Sequence, residues 1–265
     1  KELPSILEDE TYGEEATKLF KDAHNYLQEF KECSTQLNKA KVGFFPANSI
    51  GDDIELYNPN SKDSKIETLC MLRSQRVMDD ATSKNRCLSD YLAPKEINKD
   101  DYIGAFVVTS GLGLEQILDK YADDDYSQIM IKVLADRLAE AFAEYMHEYV
   151  RKELWGHACE EKLSHKELIQ EKYQGIRPAP GYAACPDHTE KRKLFKLLDA
   201  QAIGVELTES CAMTPASSVS GWYFSHPEAR YFNVGHIDHT QIEDYARRKE
   251  MDLAECQKWL QSLMQ

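Results

Sequence analysis

Arg177 opens the stretch best equipped for chemistry: Arg177-Pro178-Ala179-Pro180-Gly181-Tyr182-Ala183-Ala184-Cys185-Pro186-Asp187-His188-Thr189-Glu190-Lys191. Pro178, Pro180 and Gly181 fix a non-helical backbone, and each proline withholds an N–H. The remaining N–H and C=O groups are left to meet a ligand, and the planar fork of Arg177 suits a ligand carboxylate. A rigid loop with a surface arginine accounts for the same residues.

A second stretch, Asp136-Arg137-Leu138-Ala139-Glu140-Ala141-Phe142-Ala143-Glu144, places Asp136 and Glu140 four apart, on one helix face. Val133, Leu134, Leu138, Ala141 and Phe142 define the expected apolar side. Two acids beside a buried stripe suit a cationic ligand or a partner's imidazole, and they equally suit a solvated face paired with Arg137 or Lys132. A third stretch runs from Leu207 to Pro227 and includes Thr214-Pro215-Ala216-Ser217-Ser218 followed by Gly221-Trp222-Tyr223-Phe224. Small residues at a loop tip permit close approach of a flat ligand. Tyr231 and Phe232, expected on the next strand, can stack on an adenine. A plain β-hairpin core reads the same way. A zinc site from Cys185-x-x-His188 and His236-x-x-His239 has tolerable spacing, but its first half lies inside the proline loop.

These residues need a scaffold, and 265 residues supply one with a core of its own. The formal net charge is −14, which disfavours nucleic acid and anionic membranes and favours a partner with a basic face. The seven cysteines show no Cys-x-x-Cys pair, so reduced cytoplasmic thiols fit better than a disulfide framework. No apolar run approaches a membrane span. The start, Lys1-Glu2-Leu3-Pro4, has neither an initiator Met nor a signal peptide's apolar stretch, and a fragment of a longer cytosolic protein is expected.

Helical periodicity marks residues 14–32, with Ala16, Leu19, Phe20, Ala23, Leu27 and Phe30 inward. It also marks a long helix near residues 126–155, with Ile129, Met130, Val133, Leu134, Leu138, Phe142 and Tyr145 inward. Residues 42–46 read as a strand ended by Pro46, and residues 54–57 and 66–72 as a hairpin around Asn58-Pro59-Asn60-Ser61. Residues 74–86 read as a surface loop, and residues 102–109 as a strand buried on both faces. Shorter helices are expected at 114–121, after the Ser164 capping box, at 189–200 behind a Thr189 N-cap, at 240–249 and at 253–264. Strands are expected at 205–212, 219–225 and 230–234. The sum is an α+β single domain, its antiparallel or mixed central sheet flanked by helices.

The three stretches, together with Gly43-Phe44-Phe45-Pro46-Ala47-Asn48, Asp52-Asp53-Ile54, Cys87-Leu88-Ser89-Asp90 and Glu243-Asp244-Tyr245-Ala246-Arg247-Arg248-Lys249, are similar to the reactivation domain of cobalamin-dependent methionine synthases. The similarity runs nearly end to end in one order and spacing. It implies a C-terminal module that binds S-adenosylmethionine and presents its methyl group to reduced cobalamin held by a neighbouring module, after a flavodoxin or flavoprotein reductase has supplied an electron. Chemistry of that kind is mostly positioning, so no triad or metal cluster is required.

By the same resemblance Arg177 binds the ligand's carboxylate, and backbone atoms of Ala179 and Tyr182 hold its adenosine or methionine portion. Tyr231 and Phe232 line the site. Glu140 lies near the ligand and the approaching cobalamin module, and Asp136 accepts from that module's displaced histidine. The family's acid for the ligand ammonium lies ahead of the position matching Lys1. Ala183 stands where the motif usually has Pro, and Phe232 where some relatives have a second Tyr. A docking module that holds the reductase and the cobalamin module together is the alternative of a different class.

Overall fold

The computed structural model describes residues 3–76 and 85–264. Its organising element is the strand read as buried on both faces, and the two faces of that strand meet different helices. Ile103, Ala105 and Val107 point into a core with Leu194, Phe195 and Leu198, while Phe106 and Val108 point into one with Ala143, Met146 and Val150. This strand, β4 (Tyr102–Thr109), lies in a five-stranded sheet whose other members are β1 (Lys39–Ile50), β2 (Asp53–Asn58), β3 (Ser61–Cys70) and β7 (Ser218–Tyr223). The order is β3-β2-β1-β4-β7, and every neighbouring pair is antiparallel. A separate two-stranded ribbon pairs β5 (Glu206–Leu207) with β6 (Met213–Thr214).

Helices cover both faces. Against one lies α3 (Asp125–Tyr149), extended by a π-turn over Val150–Leu154, with α1 (Gly13–Leu37) and α2 (Leu114–Leu118) packed on it. On the other lies α5 (Glu190–Leu198). The pair α6 (His239–Lys249) and α7 (Leu253–Leu260) closes a smaller core over Cys70 and Leu72. A short α4 (His165–Ile169) opens with the expected capping box, where the Ser164 hydroxyl accepts from Glu167 N–H and the Glu167 carboxylate accepts from Ser164 N–H. The architecture is α+β with an antiparallel sheet and a helix of 25 residues before its π-turn.

Several expectations are corrected. Pro46 does not end its strand; β1 continues to Ile50 and changes partner there, from Tyr102 at Pro46 to Leu56 at Ala47. A residue without an N–H is tolerated where the ladder changes hands. Residues 205–212 make only the two-residue β5 before a turn in which Cys211 takes a positive φ of 61°. Residues 230–234 form no strand, so Tyr231 and Phe232 project from irregular chain. Thr189 occupies the N-cap position of α5 without capping it; its hydroxyl and N–H both donate to Asp187 Oδ1. Of the loop expected at 74–86, Ser74 is buried and residues 77–84 lie outside the described residues.

The inward face of α3 is only in part the one expected. Ile131, Ala135, Ala139, Ala143, Met146 and His147 are buried, whereas Ile129, Val133 and Tyr145 are 63, 47 and 60% exposed. Leu134, Leu138 and Phe142, also expected inward, are partly buried against the cores, and alanines share the buried face with Ile131 and Met146. On α1, Leu19 and Phe20 are likewise exposed and Phe30 carries the burial.

Candidate ligand-binding site

The proline loop is an added edge on the sheet. Gly175 takes φ +90°, and a Cβ there would lie 2.3 Å from Phe224 O, so only glycine admits this approach. Ile176 and Phe224 then exchange both backbone hydrogen bonds at 3.0 Å, and Trp222 N–H donates to Pro178 O at 2.9 Å. Residues 176–178 thus run antiparallel beside β7. Beyond them the chain curls on itself: Gly181 N–H donates to Cys185 O, Tyr182 N–H to Ala179 O, and Val234 N–H to Ala183 O. The Ala179 and Tyr182 backbone atoms singled out from the sequence are therefore bonded to each other at 3.1 Å. The Tyr182 side chain is exposed.

Arg177 sits where this edge meets α3. Its N–H donates to the Tyr231 hydroxyl at 3.0 Å. Its guanidinium donates through Nη1 to His147 Nδ1 at 3.2 Å and to the Tyr173 hydroxyl at 3.3 Å, and through Nη2 to the Glu144 carboxylate. The side chain is 17% exposed, against 54% for Glu144. Burial opposes the arginine's charge, but Tyr231, Tyr173 and Glu144 together raise its pKa above the ordinary value. His147 is held well below the usual imidazole range, first by burial and then by the positive Arg151 and Arg177. Burial, assisted by Tyr231, pushes the Tyr173 phenol up, so it stays a neutral donor and acceptor.

On the same helix Asp136, Glu140 and Glu144 lie at successive turns. Asp136 Oδ1 accepts from Ser217 Oγ at 2.6 Å. Asp136 and Glu140 border a cleft of about 330 Å³ with Val133, Ala216, Ser217 and Val219. The small-residue loop facing them is tethered, because Ser218 Oγ donates to Pro215 O at 2.7 Å and lies 2.9 Å from Thr109 Oγ1.

The structure thus brings Arg177 and Tyr231 into direct contact and sets Asp136 and Glu140 along the same helix as the Arg177 partners. Phe232 goes elsewhere: it packs between the main core and the C-terminal core. With Tyr231 it lines a larger cleft of about 1220 Å³ bounded by Arg73, Arg230 and His226. Glu144, His147 and Tyr173 were missed. Glu144 and His147 continue the Asp136–Glu140 stripe at helical spacing and were legible there; Tyr173 has no comparable pattern. Among the described residues no three His, Cys, Asp or Glu side chains gather to hold a metal ion, and the two halves of the zinc reading do not form such a group.

An antiparallel sheet with an arginine-bearing edge strap and an acid-lined helix defines an α+β module. The chain belongs to the family of the vitamin B12-dependent methionine synthase activation domain, which matches residues 1–250, and so is part of a cobalamin-dependent methyltransferase. It is similar to a solved structure described as the MetH reactivation domain bound to AdoHcy, at 51% identity and a TM-score of 0.93, covering 100% of this chain and 82% of that one. No helix among the described residues is long and apolar enough to cross a membrane.

Proposed function

We propose that this chain binds S-adenosylmethionine at the Arg177 strap and presents it to the cobalamin module of the same enzyme, as its C-terminal reactivation module in the cytoplasm. The observation that carries the reading is Arg177 itself: a guanidinium held through Nη1 by His147 and Tyr173 and paired through Nη2 with the half-exposed Glu144. The residues fit the ligand's charges. S-adenosylmethionine carries one carboxylate, one ammonium and one sulfonium; the strap offers one cation, and α3 offers Asp136, Glu140 and Glu144. The solved relative bound to AdoHcy, the product left by methyl donation, supports the same ligand class.

When bound, the sulfonium supplies an activated methyl and reduced cobalamin on the neighbouring module accepts it. The chain's part is to hold and orient. Arg177 fixes the carboxylate by charge-assisted hydrogen bonds. Ala179 N–H, without a partner among the described residues, faces the adenosine or methionine portion together with the Tyr182 backbone, and Tyr231 braces the strap through Arg177 N–H. Glu140 stands near the sulfonium, and Asp136 receives the displaced histidine of the cobalamin module.

A calorimetric titration of the chain with S-adenosylmethionine tests this, with Arg177→Ala alongside. Heat that vanishes in the variant is the expected result. Equal binding by both would overturn the assignment of Arg177, and no binding by either would remove the ligand reading.

One observation favours a docking role as well. The exposed Ile129 and Val133 share one face of α3 with Asp136 and Glu140, and Val133 lines their cleft. An apolar strip beside the acids suits a protein surface, and we assign it to the cobalamin module. Recruitment of a flavodoxin or flavoprotein reductase rests on the acidic balance and the family resemblance alone.

A further inference from the structure

Behind Arg177 stands a column of rings that reaches the middle of the sheet. Phe106 of β4 stacks on Tyr223 of β7 with centroids 4.5 Å apart and planes 19° apart. Tyr223 stacks in turn on His147 of α3 at 5.3 Å and 11°. Tyr173 meets the edge of the His147 ring at 4.9 Å and 79°, and the Arg151 guanidinium lies over the Tyr173 ring at 4.4 Å. Arg151 is itself fixed by a buried two-point pair with Glu161, at 2.9 Å through Nε and 2.6 Å through Nη2. His147 is 1% exposed, so its ring has no freedom to turn.

A guanidinium has donors only, so the 3.2 Å contact between Arg177 Nη1 and His147 Nδ1 makes Nδ1 the acceptor and assigns the ring proton to Nε2. We propose that His147 is a positioning residue for the ligand carboxylate: its Nδ1 lone pair sets the plane of the Arg177 guanidinium and so aims the outward-facing N–H groups. The inference rests on the reading that Arg177 meets that carboxylate. His147 touches no ligand. It acts by holding a long, four-torsion side chain in one orientation before the ligand arrives, which removes an ordering cost from binding. Tyr173 shares the Nη1 donor, but its hydroxyl rotates and accepts from a range of directions, whereas the imidazole nitrogen admits one in-plane approach.

Two near-isosteric variants test this. Asn retains an oxygen acceptor close to the Nδ1 position; Gln carries its polar group out to the Nε2 position and leaves the δ position without an acceptor. Both are compared with the unmodified chain by calorimetry, using S-adenosylmethionine and 5′-methylthioadenosine, which shares the adenosine and sulfur but has no amino-acid carboxylate. In His147→Gln, Kd for S-adenosylmethionine should rise about tenfold, the scale of one charge-assisted hydrogen bond partly lost. In His147→Asn it should stay within about threefold. Affinity for 5′-methylthioadenosine should be the same in all three. Equal affinity of both variants for S-adenosylmethionine, or a parallel loss for 5′-methylthioadenosine, would overturn the proposal, since a merely structural role does not distinguish the δ from the ε acceptor. Arg177→Ala separates the two layers. If that variant binds S-adenosylmethionine normally, the carboxylate reading fails; if it loses binding while His147→Gln keeps it, the positioning role alone fails.

Discussion

Ser217 Oγ donates to Asp136 Oδ1 across 2.6 Å, joining residues 81 positions apart and tying the loop ahead of β7 to the middle of α3. The bond orients an acid that would otherwise sweep freely at the helix surface. In Ser217→Ala the loop loses this tether but keeps the Ser218 bonds to Pro215 and Thr109. Because Asp136 is exposed, the expected cost is about 1 kcal/mol, a fall in Tm of about 2–4 °C, read by thermal melting. A larger fall would mean that Ser217 carries packing as well as a hydrogen bond.

Lys249 of α6 sits 5% exposed between Asp187, at 2.7 Å, and Glu190, with Tyr245 OH donating to Asp187 Oδ2 at 2.8 Å. This cluster anchors the far end of the proline loop to the C-terminal helices. Lys249→Met leaves the buried Asp187 without its cation, while Glu190 keeps Lys193 at 3.0 Å, and denaturant unfolding should show a loss of about 3–5 kcal/mol. Burial pushes the Asp187 carboxyl up, but Lys249 and the Thr189 bonds outweigh it and hold the pKa below the ordinary value. Its contribution is therefore present above the unfolded carboxylate range and lost as pH falls through the lower folded value. In the variant the acid limb of the stability curve should move to higher pH.

His147 gives a slope of the opposite chemical type. Burial, with Arg151, Arg177 and His157 around it, depresses its folded pKa well below 6.5. Below the unfolded imidazole value the unfolded chain gains a proton that the folded chain refuses, so stability is full above about pH 6.5 and falls as pH drops further. Each such group contributes at most about 1.4 kcal/mol per pH unit. Denaturant titrations between pH 7.5 and 5 should show a shallower fall in His147→Asn than in the unmodified chain. A residual slope is expected from His157 and His188, whose pKa values burial also lowers. An unchanged slope would place the titration elsewhere.

Gly221 lies where a Cβ would stand 2.7 Å from Pro178 O and 2.9 Å from the Phe106 ring. Gly221→Ala must push the proline strap off β7, at the Trp222–Pro178 hydrogen bond. Overpacking of this kind costs about 1–3 kcal/mol, and S-adenosylmethionine affinity should fall with it, because Arg177 is one residue away. Stability lost with affinity intact would show that the strap re-seats without moving Arg177.

How much of this was legible in the sequence depends on the length scale of the cause. The hairpin around Asn58-Pro59-Asn60-Ser61, the doubly buried β4 and the Ser164 capping box are set by neighbours in the chain, and they appear where expected. The face of α3 was misread because large apolar residues usually point inward. Here Ala135, Ala139 and Ala143 share the buried face with Ile131 and Met146, so small residues mark it as much as large ones. Arg177 was legible from its residue type and rigid surroundings. Glu144 and His147 share the helical spacing of Asp136 and Glu140 and are legible as members of that stripe, whereas Tyr173 has no such pattern and meets Arg177 only in the folded chain. Tyr231 and Phe232, adjacent in sequence, were read as a pair; an irregular backbone sends one to the Arg177 strap and the other into the seam between two cores.

The row of alanines under α3 has a consequence for how the charges above it can change. Asp136, Glu140, Glu144 and His147 are graduations on a single rod, about 16 Å from first to last at the helical rise. Its later turns are seated on the sheet through Ala143, Met146 and Val150, and its first turns against α1 and α2 through Ile131 and Ala135. All adjustability is left to the opposite bank, the strap at 177–182 and the small-residue loop at 214–218. Over evolution those loops can lengthen, shorten or exchange residues around a fixed scale, whereas a single insertion within α3 would turn every later graduation by about 100° and erase it.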